Sequence, residues 1–199
     1  MLDFRSSSVF NPPSSALPLL TRRTAKFFLL TLAGTGLLTL SAKVQVPFWP
    51  VPMTMQTVAV IMLAMLGGAR LGTATVMLYL IEGAIGLPVF AGTPERGIGL
   101  SYMVGPTGGY LAGFAAAALV AGFLAERGWN RTVSKALVAN ALGTAIILAL
   151  GTVWLAFFVG MSTAISVGLT PFLLTSAVKI GLGGVIVPLL SSWRLHHGR

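Results

Sequence analysis

Between residues 25 and 193, apolar runs long enough to cross a bilayer follow one another with only short interruptions. A helical crossing of the hydrocarbon core takes roughly 20 residues, so this stretch has room for about six helices joined by short connections. Charge supports the same reading. Only 9% of the 199 residues are charged, against about 25% in an ordinary soluble domain, which is too little polar surface to cover a water-soluble globule. The expectation is an all-α integral membrane protein, a bundle of six transmembrane helices.

Several function classes fall away on composition. The net charge of +9 comes from 13 Lys and Arg against 4 Asp and Glu, but a nucleic-acid footprint needs a basic face on a solvated domain. Here the basic residues sit between apolar runs, where topology signals belong. There is no cysteine, and His196 and His197 at the chain's end are the only histidines. Disulfides, thiolate sites and histidine-rich metal centres therefore have no ligands to use, and no cofactor is expected. The 24 glycines suit close helix packing in lipid.

Residues 1–23 are polar and rich in serine and proline, which reads as a disordered cytoplasmic tail. Helices are expected at about 24–42, 54–67, 70–86, 105–125, 133–159 and 171–193, forming one membrane domain over 24–193, with a short cytoplasmic tail at 194–199. Prolines 47, 50 and 52 make 43–53 a loop. With the N-terminus inside, ten basic residues fall on cytoplasmic segments and only Lys43 and Arg96 outside. The positive-inside rule then places both termini in the cytoplasm.

Lys179 stands apart, alone in the middle of the sixth helix. Counted at about 1.5 Å per residue, it lies roughly 12 Å below the outer end. A lysine at that depth usually faces a partner or cavity, snorkelling being the alternative. Glu82, the one intramembrane acid, falls at a comparable depth on the third helix, which makes it the expected partner of Lys179; a hydrated carboxyl near the outer interface is the other reading. The run Gly105-Pro106-Thr107-Gly108-Gly109-Tyr110 either exposes backbone N–H groups to an anion or allows a tight turn and close packing. Phe48 and Trp49 suit an interfacial belt or the lid of an apolar pocket. Gln56, one turn into the second helix, can both donate and accept. The connection 87–104, with Gly86, Gly92, Gly97 and Gly99 as hinges, is expected to order when ligand binds.

Three segments resemble the BioY family: 42–57 (AKVQVPFWPVPMTMQT), 79–90 (YLIEGAIGLPVF) and 105–111 (GPTGGYL), in that family's order and spacing. In helices 4 to 6 the anchors are Pro171, Phe172 and Lys179. Such proteins are substrate-capturing S components of energy-coupling-factor biotin transporters. The resemblance implies biotin binding near the outer face, no catalysis, and residence in a bacterial cytoplasmic membrane. It also implies partners: a transmembrane T component and cytoplasmic ATPases. Fused rings want an aromatic pocket, the ureido group wants donors and acceptors, and the carboxylate wants a cation or backbone N–H groups. Gln56, Tyr79, Glu82, Arg96, Thr107, Tyr110, Ser176 and Lys179 supply those types. Ser176 occupies the position, three before the lysine, where the family commonly has aspartate. Thr31, Thr35 and Thr39 have the four-residue spacing of small residues that meets the T component. The competing readings are a solitary or self-associating biotin transporter, an S component for another small vitamin, and an intramembrane enzyme, which one membrane acid leaves without an acid–base pair.

Overall fold

The computed structural model describes residues 16–92 and 98–197, with side chains from 22 to 193. The anticipated ligand residue Arg96, the hinge Gly97 and residues 1–15 lie outside the described residues. The order is α1 (Ala16–Lys43), β1 (Gln45–Val46), β2 (Met53–Thr54), α2 (Gln56–Ala84), α3 (Leu100–Met103), α4 (Gly108–Glu126), α5 (Val133–Val159), α6 (Met161–Ala164), a π-helical turn (Ile165–Leu169) and α7 (Thr170–His197). Among the described residues, 5 helical stretches are long and apolar enough to cross a membrane. α1 begins eight residues before the expected Thr24, and Pro18 lies within its first turn, where a missing N–H costs no helical bond.

α2 is not straight. Gly68 has φ 81° and ψ 174°, a conformation essentially confined to glycine. Were α2 continuous, Gln56 and Tyr79 would be roughly 34 Å apart; instead Gln56 Nε2 donates to Tyr79 Oη at 2.6 Å. The two halves fold back on each other, and a side chain at Gly72 would strike the Ala64 backbone. The link between α4 and α5 caps the reversal. Glu126 Oε1 accepts from the Ala69 N–H at 2.9 Å, and Asn130 Nδ2 donates to Met65 O at 3.1 Å. Each bond occupies a backbone group that the broken helix leaves without an intrahelical partner.

α4 is the central element. Gly109, Gly113, Ala117, Ala121 and Ala125 are all buried and recur every four residues along one face. Ile147 and Trp154 of α5 press on Gly113 and Gly109, while Gly122 meets the backbone of Ala69. Small residues bring helix axes close, which maximises dispersion contact where lipid supplies no hydrophobic drive.

At the other end from Gly68, the segment expected as a plain loop is a hairpin, β1 pairing antiparallel with β2 through Gln45–Thr54 and Val46–Met53. All three prolines fall in its tip, outside the ladder, so no pairing N–H is lost. The last crossing also differs from expectation, starting at Met161 instead of Pro171. Pro171 has no N–H for the Val167 carbonyl, and the chain passes this point through the π-helical turn.

α1 corrects one expectation. Thr31 and Thr35 are buried and Thr39 half-buried, with hydroxyls donating to the carbonyls of Phe27, Leu32 and Thr35. Gly34 on the same face lies against Thr75. This stripe packs inside the chain's own bundle, so it is not a free surface for a T component. The face turned outward carries Phe28, Leu29, Leu32, Leu37 and Leu40.

Candidate functional site

The site forms at the hairpin end, where the three signature segments converge. Thr54 Oγ1 accepts the Gln56 N–H at 3.3 Å, a short side-chain turn that helps start α2. This orients Gln56 inward, where it is 3% exposed. Its amide donates to Tyr79, whose hydroxyl donates on to Val89 O at 3.0 Å. A chain of buried polar groups thus links the start of α2 to the segment after Pro88, each satisfied as burial demands.

Aromatic rings close around this chain. Tyr110 stacks on Phe172 with centroids 6.0 Å apart, and Phe48 meets Phe172 edge-on at 6.5 Å. Tyr110 Oη donates to Gly168 O at 2.8 Å, which ties α4 to the π-helical turn. Phe90 sits between Tyr79, edge-on at 5.4 Å, and Tyr102, stacked at 5.2 Å. The cavity beside these rings measures about 40 Å³ and is lined by Thr54, Gln56, Tyr102, Thr107, Tyr110 and Phe172, with Ala91 among its walls. That is room for a few waters, whereas small-molecule sites run from roughly 300 Å³. Admitting a ligand of that size requires the wall to move.

Thr54 is shared with a second, more open cleft of about 340 Å³ between the hairpin and α7. Val46, Met53, Val178 and Lys179 line it. Lys179 is 8% exposed and its Nζ donates to Thr54 O at 2.6 Å. An ammonium group has three donors, so a ligand group can reach it beside, or in place of, that carbonyl.

Of the residues anticipated from the sequence, Gln56, Thr107 and Tyr110 line the cavity and Tyr79 lies one hydrogen bond beyond it. Lys179 stands across Thr54 in the cleft. Ser176 is buried on α7 between Phe172 and Lys179 in sequence, on the same helical face. Glu82 is elsewhere: its Oε1 accepts from Thr35 Oγ1 at 3.0 Å, across the contact of α2 with α1. Among the described residues no ion pair joins it to Lys179, whose partner is a backbone carbonyl, so the expected electrostatic pair is not formed. The glycine-rich opening of α4 is a packing device, because the N–H groups of Gly108, Tyr110 and Leu111 are taken by carbonyls of its own turn. Phe48 touches the cavity only through its edge-on contact with Phe172, and Trp49 is 75% exposed. Sequence reasoning missed Tyr102 and Phe90. Their one signal was an aromatic residue beside the signature glycines, which spacing alone does not separate from ordinary core.

Comparison with known proteins identifies the family. The BioY family model matches residues 14–195. A probable biotin transporter BioY of Pyrococcus horikoshii is 34% identical over 83% of this chain and 96% of its own length. The biotin transporter BioY of Thermotoga maritima is 40% identical over 76% of this chain and 88% of its own. In fold, the chain resembles the crystal structure of an S-component for biotin from an ECF-type ABC transporter, with TM-score 0.74 and 24% identity over 86% of this chain and 93% of that one. The polar relay of Gln56 and Tyr79, the aromatic cavity and the buried lysine all lie within the matched span, and the chain belongs to the BioY family.

Proposed function

We propose that this protein captures biotin for uptake across the cytoplasmic membrane of a bacterium, as the S component of an ECF-type transporter. The observation that carries the reading is the pairing of an aromatic cavity floored by amide and hydroxyl groups with a buried ammonium one residue's width away. Phe48, Tyr110 and Phe172 suit the apolar faces of a bicyclic ligand. Gln56 and Thr107 offer both donors and acceptors to a ureido group. Lys179 offers the charge that a carboxylate or a polarised carbonyl seeks. Ser176 adds a hydroxyl on the same face of α7, and Arg96 remains a candidate for the carboxylate.

Counted as two crossings, the halves of α2 bring the bundle to six helices. The element order then puts the start of α1 and the end of α7 at the end away from the hairpin. The basic residues concentrate there too, so both termini are cytoplasmic under the positive-inside rule. The site faces outward, in one membrane domain over 24–193. The chain contributes binding and no reaction of its own. A T component in the membrane and paired cytoplasmic ATPases supply the energy.

Uptake of labelled biotin by cells stripped of their own biotin import tests the reading. Accumulation is expected when T component and ATPases are co-expressed, and little without them. Equal accumulation in their absence favours a solitary transporter. No accumulation in either case, with the protein present in the membrane, counts against biotin transport.

A further inference from the structure

The wall that must move to admit a ligand has a visible fastening. Val89, Phe90 and Ala91 form a buried roof segment at the cavity, each no more than 9% exposed. Ala91 lines the cavity itself. From inside the bundle the roof is held by Tyr79, which donates to Val89 O, and by the Phe90 ring seated on Gly83. From α1 it is held by one further bond: Lys43 Nζ donates to Phe90 O at 2.9 Å. Lys43 is the last residue of α1 and is itself exposed. Neither Lys43 nor Phe90 lines the cavity.

We propose that Lys43 is a gating residue: its ammonium latches the Phe90 carbonyl and so sets how often the roof over the aromatic cavity opens. The cost of breaking the latch falls on opening and not on the ligand, because no latch atom faces the cavity. When the roof recloses over the ligand with this bond re-formed, its strength is the same with the cavity filled or empty. Removing it speeds the passage of ligand in both directions by the same factor and leaves affinity unchanged. The latch also makes the end of α1 part of the gate, so a shift of α1 is felt at the roof. This inference rests on biotin as the ligand only for its kinetic readout.

The test uses the full chain in lipid nanodiscs, as wild type, Lys43→Met and Lys43→Arg. Biotin association and dissociation are followed by stopped flow, and amide exchange of 89–91 is measured without biotin. For Lys43→Met both rate constants should rise together by about threefold to tenfold, as loss of one charge-assisted hydrogen bond at a part-exposed site allows. Kd should stay within about twofold, and amides 89–91 should exchange faster. Lys43→Arg, which keeps a cationic donor, should restore wild-type rates. Weakened Kd with unchanged association would overturn the gate and make Lys43 a support of the bound state. Unchanged rates and unchanged exchange would overturn the latch. Failure of the wild type to bind biotin would sink the ligand assignment, and the amide exchange would still decide the latch.

Discussion

Replacing Lys179 with methionine separates ligand binding from the folding of the bundle. The side chain is 8% exposed and makes a 2.6 Å bond to Thr54 O in a cleft lined mostly by valine, methionine and leucine, with Gln45 and Thr175 as its other polar side chains besides Thr54. A hydrogen bond to a charged group contributes about 1.5–3 kcal/mol net. If Lys179 gives such a bond to the ligand, Lys179→Met should weaken biotin binding by roughly tenfold to a hundredfold. Stability should behave differently. Methionine fills similar volume without a buried charge, and the exchange of a buried charge for an apolar group is often neutral or favourable. The melting temperature in nanodiscs should therefore hold or rise, even with the Thr54 carbonyl left to water in the open cleft. Glu82→Gln supplies the control. Its carboxylate meets Thr35 and not Lys179, so the affinity losses of the two variants should add within about 0.5 kcal/mol in the double mutant. Isothermal titration of the four proteins makes the measurement. Biotin affinity within twofold of wild type in Lys179→Met refutes the role given to this residue. A coupling energy above that limit refutes the separation of Glu82 from the site.

Other positions give independent checks. Gly68→Ala places a Cβ on a backbone only glycine adopts readily, and should lower stability by about 1–3 kcal/mol in thermal or denaturant unfolding; no change would contradict the reversal of α2. Gly83→Ala drives a methyl into the Phe90 ring and should accelerate biotin dissociation, while Gly36→Ala, with nothing within 4 Å, should leave it unaltered. Glu126→Ala removes the acceptor for the Ala69 N–H and should cost about 1 kcal/mol, the usual value of a lost helix cap.

Much of the fold was legible because lipid restricts the options. Apolar length located the helices, and the bounds of α5 emerge as read. Gly67 and Gly68 marked the break in α2, since two adjacent glycines rarely serve a helix interior. Chain counting leads only to an expectation of similar depth for Lys179 and Glu82. It does not give azimuth, and Glu82 turns to α1 because the second half of α2 packs Glu82 towards Thr35. The threonines of α1 show the same limit. Small side chains permit close approach to any neighbour, and their spacing does not say whether that neighbour belongs to the same chain. The hairpin escaped notice because three prolines in eleven residues conceal two paired residues on either side. Tyr102 and Phe90 entered the site through tertiary stacking, for which a single sequence carries no period.

What the aromatic cavity holds decides the function. Equilibrium binding of labelled biotin to the purified chain in lipid nanodiscs, with thiamine and riboflavin as competitors, tests this most directly. Saturable binding at one site per chain, displaced by unlabelled biotin and by neither competitor, is the expected result. Absence of saturable binding, or displacement by thiamine or riboflavin as effective as by biotin, would contradict it.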